Sequence, residues 1–114
     1  MRPGTFDWPA QYAGDTADTI GFTVVQDDIP VVLTGAQIRM QVRASVGSAP
    51  ILDLSIAGGQ IAIVDGGNGI FRVGNYLNPA TPGSYIYDLE VSFPDGRVKT
   101  YFRGSYVIES EVTR

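Results

Sequence analysis

The side chains best equipped for chemistry in this sequence are its carboxylates. Asp27, Asp28, Asp53, Asp88 and Glu90 are the candidates for paired acid–base work, where one carboxyl group protonates a leaving oxygen and a second attacks or activates water. Such a pair must face across a cleft. Asp88 and Glu90 lie two apart in an alternating run, so they share one strand face, opposite the apolar set, and read as solvated. Asp27 and Asp28 read as turn residues. Asp65-Gly66-Gly67-Asn68-Gly69 offers oxygen ligands of the kind calcium takes. It has one carboxylate and one amide, and no nearby glutamate closes the shell, so it reads as a hairpin loop. The same glycines lack the Gly-Lys-Ser/Thr of a phosphate-cradling loop. The 114 residues include no cysteine and no histidine. That removes disulfide frameworks, zinc fingers, thiol nucleophiles, Ser–His–Asp triads and histidine metal sites together. The chain is therefore read as a non-enzyme with no cofactor and no metal.

What remains is recognition. Gln37, Arg39, Gln41 and Arg43 form a polar ladder along one side of an alternating strand. The ladder is either a solvated sheet face or a contact surface, and arginine is enriched at interfaces. Tyr101 falls on the face of Lys99 and Arg103, opposite Val98 and Phe102, so an outward tyrosine between basic residues is expected there. The segment Phe6-Asp7-Trp8-Pro9-Ala10-Gln11-Tyr12 holds three aromatics without a strand period. It is either a first strand or arm folded over its own core, or an arm that docks on a neighbouring subunit; aromatic anchors suit both. The protein-interface candidates are Phe6, Trp8, Tyr12, Arg39, Arg43, Tyr101 and Arg103.

These residues need a scaffold, and composition narrows it. An apolar fraction of 44% with only 18% charged residues is that of one folded domain, not of a disordered chain. The net charge is −4, and no two basic residues adjoin. Nucleic-acid binders carry a basic patch or stripe, so no nucleic acid is expected as a partner. No apolar run approaches the roughly 18 residues of a membrane span, and Met1-Arg2-Pro3-Gly4-Thr5 has no apolar leader stretch. No membrane partner is expected either. Fourteen glycines and seven prolines punctuate the whole chain, and between them lie short runs rich in Val, Ile, Tyr, Phe and Thr. That is the pattern of an all-β sandwich or barrel.

The clearest run is Ala36 to Arg43, where Ala36, Ile38, Met40 and Val42 alternate with the polar ladder. A helix would set Ile38 and Met40 about 200° apart, so the run is a strand. Tyr85 to Phe93 alternates likewise, with Tyr85, Tyr87, Leu89, Val91 and Phe93 on one face. Pro94-Asp95-Gly96-Arg97 is a tight turn, and the chain returns from Val98 to Val112 with Val98, Phe102, Tyr106, Ile108 and Val112 as its apolar set. Gly104 breaks that set and marks a bulge or a crowded spot. Weaker strands are expected at Thr19 to Val25, Ile51 to Ile56, Ile61 to Val64 and Ile70 to Val73. Ile29 to Leu33 contains Pro30, so any strand there is short or at an edge. About seven strands suit two antiparallel sheets packed face to face, formed by residues 19–114, with residues 1–18 as the aromatic arm or first strand.

The order of several pieces resembles a known group. Thr5-Phe6 precedes Val32-Leu33-Thr34-Gly35-Ala36 and Arg39-Met40-Gln41-Val42-Arg43. Gly83-Ser84-Tyr85-Ile86-Tyr87-Asp88-Leu89, Pro94-Asp95-Gly96, Gly104 and Val112-Thr113-Arg114 follow. This series is similar to the small immunoglobulin-like virion modules of tailed bacteriophages, such as the amino-terminal domain of baseplate upper proteins. The resemblance implies an immunoglobulin-like sandwich made in the bacterial cytoplasm and built into the virion as a multi-copy structural part. The implied position is the tail, baseplate or fibre attachment, with other virion proteins and further copies of the chain as partners. A capsid decoration or head-fibre protein is the alternative within that class. A carbohydrate-binding sandwich is the alternative outside it, with Trp8, Tyr12, Tyr101 and Tyr106 as stacking candidates.

Overall fold

The longest element is a hairpin of β10 (Gly83–Ser92) and β11 (Val98–Glu109), joined through the expected turn. The turn works as its residue types require. Gly96 takes φ 94°, the Arg97 backbone N–H donates to Asp95 Oδ1 at 3.0 Å, and the Phe93 N–H donates to the Arg97 carbonyl at 2.8 Å. The computed structural model describes residues 4–110, so Val112 and the closing Val112-Thr113-Arg114 lie outside the described residues.

Two sheets face each other around this hairpin. In the larger one, β6 (Gln37–Arg43) pairs antiparallel with β10, and β7 (Pro50–Ser55) pairs with β6 at the far edge. The smaller sheet runs β3 (Ile20–Thr23), β9 (Ile70–Val73) and β8 (Ile61–Asp65), all antiparallel. The chain is all-β among the described residues, with one 3₁₀ turn at Gly66–Asn68 in the Asp65–Gly69 loop. Each of the seven expected runs carries one of these longer strands. Four two-residue strands complete the set: β1 (Gly4–Thr5) and β2 (Gln11–Tyr12) in the expected arm or first strand, and β4 (Val25–Gln26) and β5 (Ile29–Pro30). The last two pair into a small hairpin, as short as Pro30 demands.

The amino-terminal arm corrects the expectation of purely antiparallel sheets. β1 and β2 both run parallel to β11, so residues 4–12 form the other edge of the large sheet. Between them the Phe6 and Trp8 N–H groups donate to the carbonyls of Arg103 and Ser105 at 3.0 and 2.9 Å. Gly104 is therefore a crowded spot and not a bulge: a Cβ there would collide with the Phe6 carbonyl oxygen.

Alternation decides the core. Ile38, Met40, Val42, Leu89, Val91 and Ile108 are buried as expected, while Phe102 is only half-buried. Phe22 of the small sheet stacks on Phe71 and meets Trp8, Phe6 and Phe102 of the large one at ring distances of 5.4–5.5 Å, which ties the sheets together.

The real bulge sits three residues before Gly104. Leu89 pairs with Phe102, yet the next residue, Glu90, pairs with Thr100, so Tyr101 is the extra residue in β11. Alternation shifts by one at that point. Tyr101 and Phe102 both turn inward, and Val98, placed in the core by simple parity, is 57% exposed. The expected outward Tyr101 is thus corrected: it is buried, edge-on to Phe93 at 6.3 Å.

Candidate functional site

The large sheet turns its second face to solvent, and this face collects the charged candidates. Burying Ile38, Met40 and Val42 forces Gln37, Arg39, Gln41 and Arg43 outward. Burying Tyr85, Tyr87 and Leu89 does the same for Ile86, Asp88 and Glu90. Register then sets Arg39 opposite Glu90, Gln41 between Asp88 and Asp53, Arg43 opposite Ile86, and Asp88 opposite Arg103.

At one end of this face the charges satisfy each other. Arg39 grips Asp53 with two parallel hydrogen bonds, Nε to Oδ1 at 2.9 Å and a terminal nitrogen to Oδ2 at 2.7 Å. Gln41 Nε2 adds a third at 3.3 Å. The hydrogen bond from Arg39 holds the Asp53 carboxyl below the usual carboxylate range, and the same bond raises the guanidinium. Toward the other end of the strand, Arg43 donates to the Ser48 carbonyl at 3.2 Å and to the Gln41 side-chain oxygen, which fixes it against the loop after β6 but gives it no ion pair among the described residues.

At the other end the charges are available. Among the described residues the ion pairs are Arg39–Asp53 and Arg97–Asp95; Arg103 and Asp88, though cross-strand neighbours, form none. They line a groove of about 460 Å³ together with Thr5, Arg43, Val46 and Ile86. Val46 is 90% exposed and Ile86 38% exposed, so aliphatic surface lies between two guanidinium groups. Two guanidinium groups and one carboxylate thus stand beside the aliphatic surface of Ile86 and Val46.

The structure separates the sequence candidates into two groups. Arg39, Arg43 and Arg103 share the outer face. Tyr12 is exposed, beside a hollow of about 300 Å³ that also touches Asp15, Asp18 and Ile20. Trp8 and Tyr101 are buried, and Phe6 is half-buried. Trp8 packs against Phe22, Tyr87 and Tyr106 at 5.3–5.9 Å, so the arm covers its own core. Of the four aromatics proposed to stack on a sugar, Trp8, Tyr101 and Tyr106 are interior, which leaves Tyr12 alone at the surface. A platform built from those four is therefore corrected.

Reading by residue type missed Ile86 and Val46. Ile86 carried a signal, being an aliphatic residue at an outward position between Ser84 and Asp88. Also missed was a buried polar cluster, in which Tyr106 donates to Asn78 Oδ1, Tyr76 and Tyr106 share a hydrogen bond, and Asn78 Nδ2 donates to Gln11 Oε1 at 2.9 Å. In the Asp65–Gly69 loop, Asp65 Oδ2 accepts from Asn68 Nδ2 at 2.8 Å. No group of three or more acidic side chains among the described residues is placed to hold a metal ion. No helix among them is long and apolar enough to cross a membrane. No protein-family model matches the chain, and no curated protein matches it.

Proposed function

We propose that this chain is an immunoglobulin-like binding module, not an enzyme, and a structural component of a tailed-bacteriophage virion at the tail, baseplate or fibre attachment. The fold reading rests on strand order. The series β7-β6-β10-β11 beside β3-β9-β8 matches the C′CFG and BED sheets of a variable-type immunoglobulin domain. The Tyr85 hydroxyl donates to the Thr81 carbonyl at 2.9 Å, at the start of the F-like strand, as in a tyrosine corner. Where antibody domains join the sheets by a disulfide, this chain has Phe22 and Tyr87 packed on Trp8.

The observation that carries the functional reading is the outer face of the large sheet, where Arg43, Arg103, Val46 and Ile86 surround an open groove. A scaffold whose interior is closed by its own aromatics offers a partner this face. The virion assignment adds to it the order of turn and strand pieces, which resembles that of the phage modules.

The test is to purify particles from a host carrying the gene and to measure this chain by quantitative mass spectrometry. A fixed copy number per particle, lowered by Arg103→Glu in a variant with unchanged melting, is the expected result. Absence from purified particles overturns the virion reading, and full occupancy by Arg103→Glu overturns the docking face.

A further inference from the structure

The groove lies at one end of the outer face, where β6 ends and β10 begins, against the loop that carries Val46. The β4–β5 hairpin leads into the other end of β6, where Gly35 lies against Pro94 of the β10–β11 turn. Gln26 pairs with Ile29 in the hairpin, so Asp27 and Asp28 are the whole of a two-residue turn. Both hold positive φ, 54° and 65°, a conformation that glycine or asparagine meets at lower cost. The tip therefore carries two adjacent, exposed carboxylates, with Ile29 67% exposed and Val25 47% exposed beside them. The hairpin is a mirror of the groove in chemistry: anions next to aliphatic surface on the one, guanidinium groups next to aliphatic surface on the other.

We infer that the β4–β5 hairpin of one copy docks in the Arg43–Arg103 groove of a second copy. The inference rests on the reading of the outer face as a docking surface and names its occupant. Asp27 and Asp28 meet Arg43 and Arg103, and Ile29 covers Val46 and Ile86. Asp88 opposes the approach with a single charge against the two guanidinium groups, which leaves the groove net positive. Donor and acceptor are two different surfaces of the chain, so the contact is head-to-tail. Each added copy exposes a fresh groove, and the product is a ring where the rotation closes and a filament where it does not.

Sedimentation velocity of the purified full chain, over a concentration series in low and moderate salt, tests this. The expected result is a mass that rises above the monomer with concentration and falls with salt. Asp27→Asn/Asp28→Asn keeps a turn that asparagine adopts readily and removes both charges; it is expected to weaken association about tenfold or more. Arg103→Glu, at a side chain with no ion pair to lose, is expected to do the same. The decisive arm mixes Asp28→Lys with Arg103→Glu: each is defective alone, and the mixture regains association because the unaltered acidic tip of the Arg103→Glu chain meets the unaltered groove of the Asp28→Lys chain. Ile29→Ser provides an uncharged check and is expected to weaken association while melting as the wild type does.

A wild-type chain that stays monomeric at the highest concentration reached overturns the inference. So does association that ignores both charge variants, or binding of an acidic peptide from another protein without self-association. If Arg103→Glu still lowers virion occupancy while the chain is monomeric, the docking face stands and only its occupant is wrong.

Discussion

The hydroxyls of Tyr76 and Tyr106 lie 2.9 Å apart in the interior, joined by a hydrogen bond that links the loop before β10 to the centre of β11. Burial pushes both phenols above their ordinary value, and the bond to Tyr106 only partly offsets this at Tyr76. The Trp8 Nε1–H beside them closes no well-formed hydrogen bond.

Alkaline pH should therefore weaken the fold. The unfolded chain releases these protons near pH 10, while the folded chain retains them, so above that pH the unfolded state binds fewer protons. The tyrosine contribution is fully present below pH 10 and declines as pH rises beyond it, by at most about 1.4 kcal/mol per pH unit for each group. Tyr106→Phe lowers stability at neutral pH by removing the bonds to Tyr76 and Asn78, and it makes the alkaline slope shallower. Urea unfolding at pH 9, 10 and 11 measures both effects. Identical slopes for the two proteins would contradict the assignment.

Asp53 should titrate below the usual carboxylate range because Arg39 donates two hydrogen bonds to it. Arg39→Gln is expected to move its titration upward, toward the ordinary value, with little change in melting, since exposed pairs contribute little. Carboxyl-carbon NMR on the two proteins reads this directly. An unmoved Asp53 would mean that the pair does not persist in solution.

The parts of the fold that were legible are those fixed by local pattern. β6 and β10 alternate without interruption, and the Pro94–Arg97 turn carries its chemistry in four residues. The Tyr101 bulge was not legible, because it is defined by which residue of β10 each residue of β11 meets, and no local signal marks that slip. One slip exchanged the fates of Tyr101 and Val98. The groove was half legible for a similar reason: Arg43 and Arg103 were visible by type, whereas their convergence with Thr5 and Ile86 needs the pairing of four strands.

The bulge can be tested by the pair of residues that it exchanges. Tyr101→Ala should cost about 3–5 kcal/mol, as removal of a buried ring does. Val98→Ala should stay within about 0.5 kcal/mol, as an exposed change does. Chemical denaturation of the two variants distinguishes this register from simple alternation, which demands the reverse order.

The last prediction concerns the arm, whose place depends on an absent side chain. Gly104 of β11 lies under the Phe6 carbonyl, and the Tyr87 hydroxyl donates to that same oxygen. A methyl group at 104 cannot coexist with the arm where it stands, and the two nearest opposing atoms are the Phe6 carbonyl carbon and oxygen, backbone that cannot rotate away. Gly104→Ala should therefore lift residues 4–8 from the edge of the sheet and uncover Trp8, which is 4% exposed when the arm is docked. The cost expected from overpacking of this kind is about 1–3 kcal/mol. Trp8 is the single tryptophan of the chain, so its fluorescence reports the arm alone. The variant should show a red-shifted emission and stronger quenching by iodide, together with the lower denaturation midpoint. Tyr87→Phe, which removes the hydroxyl anchor but leaves room for the backbone, should give a smaller shift in the same direction. A Gly104→Ala protein with wild-type emission and quenching would show that the arm does not occupy this edge in solution.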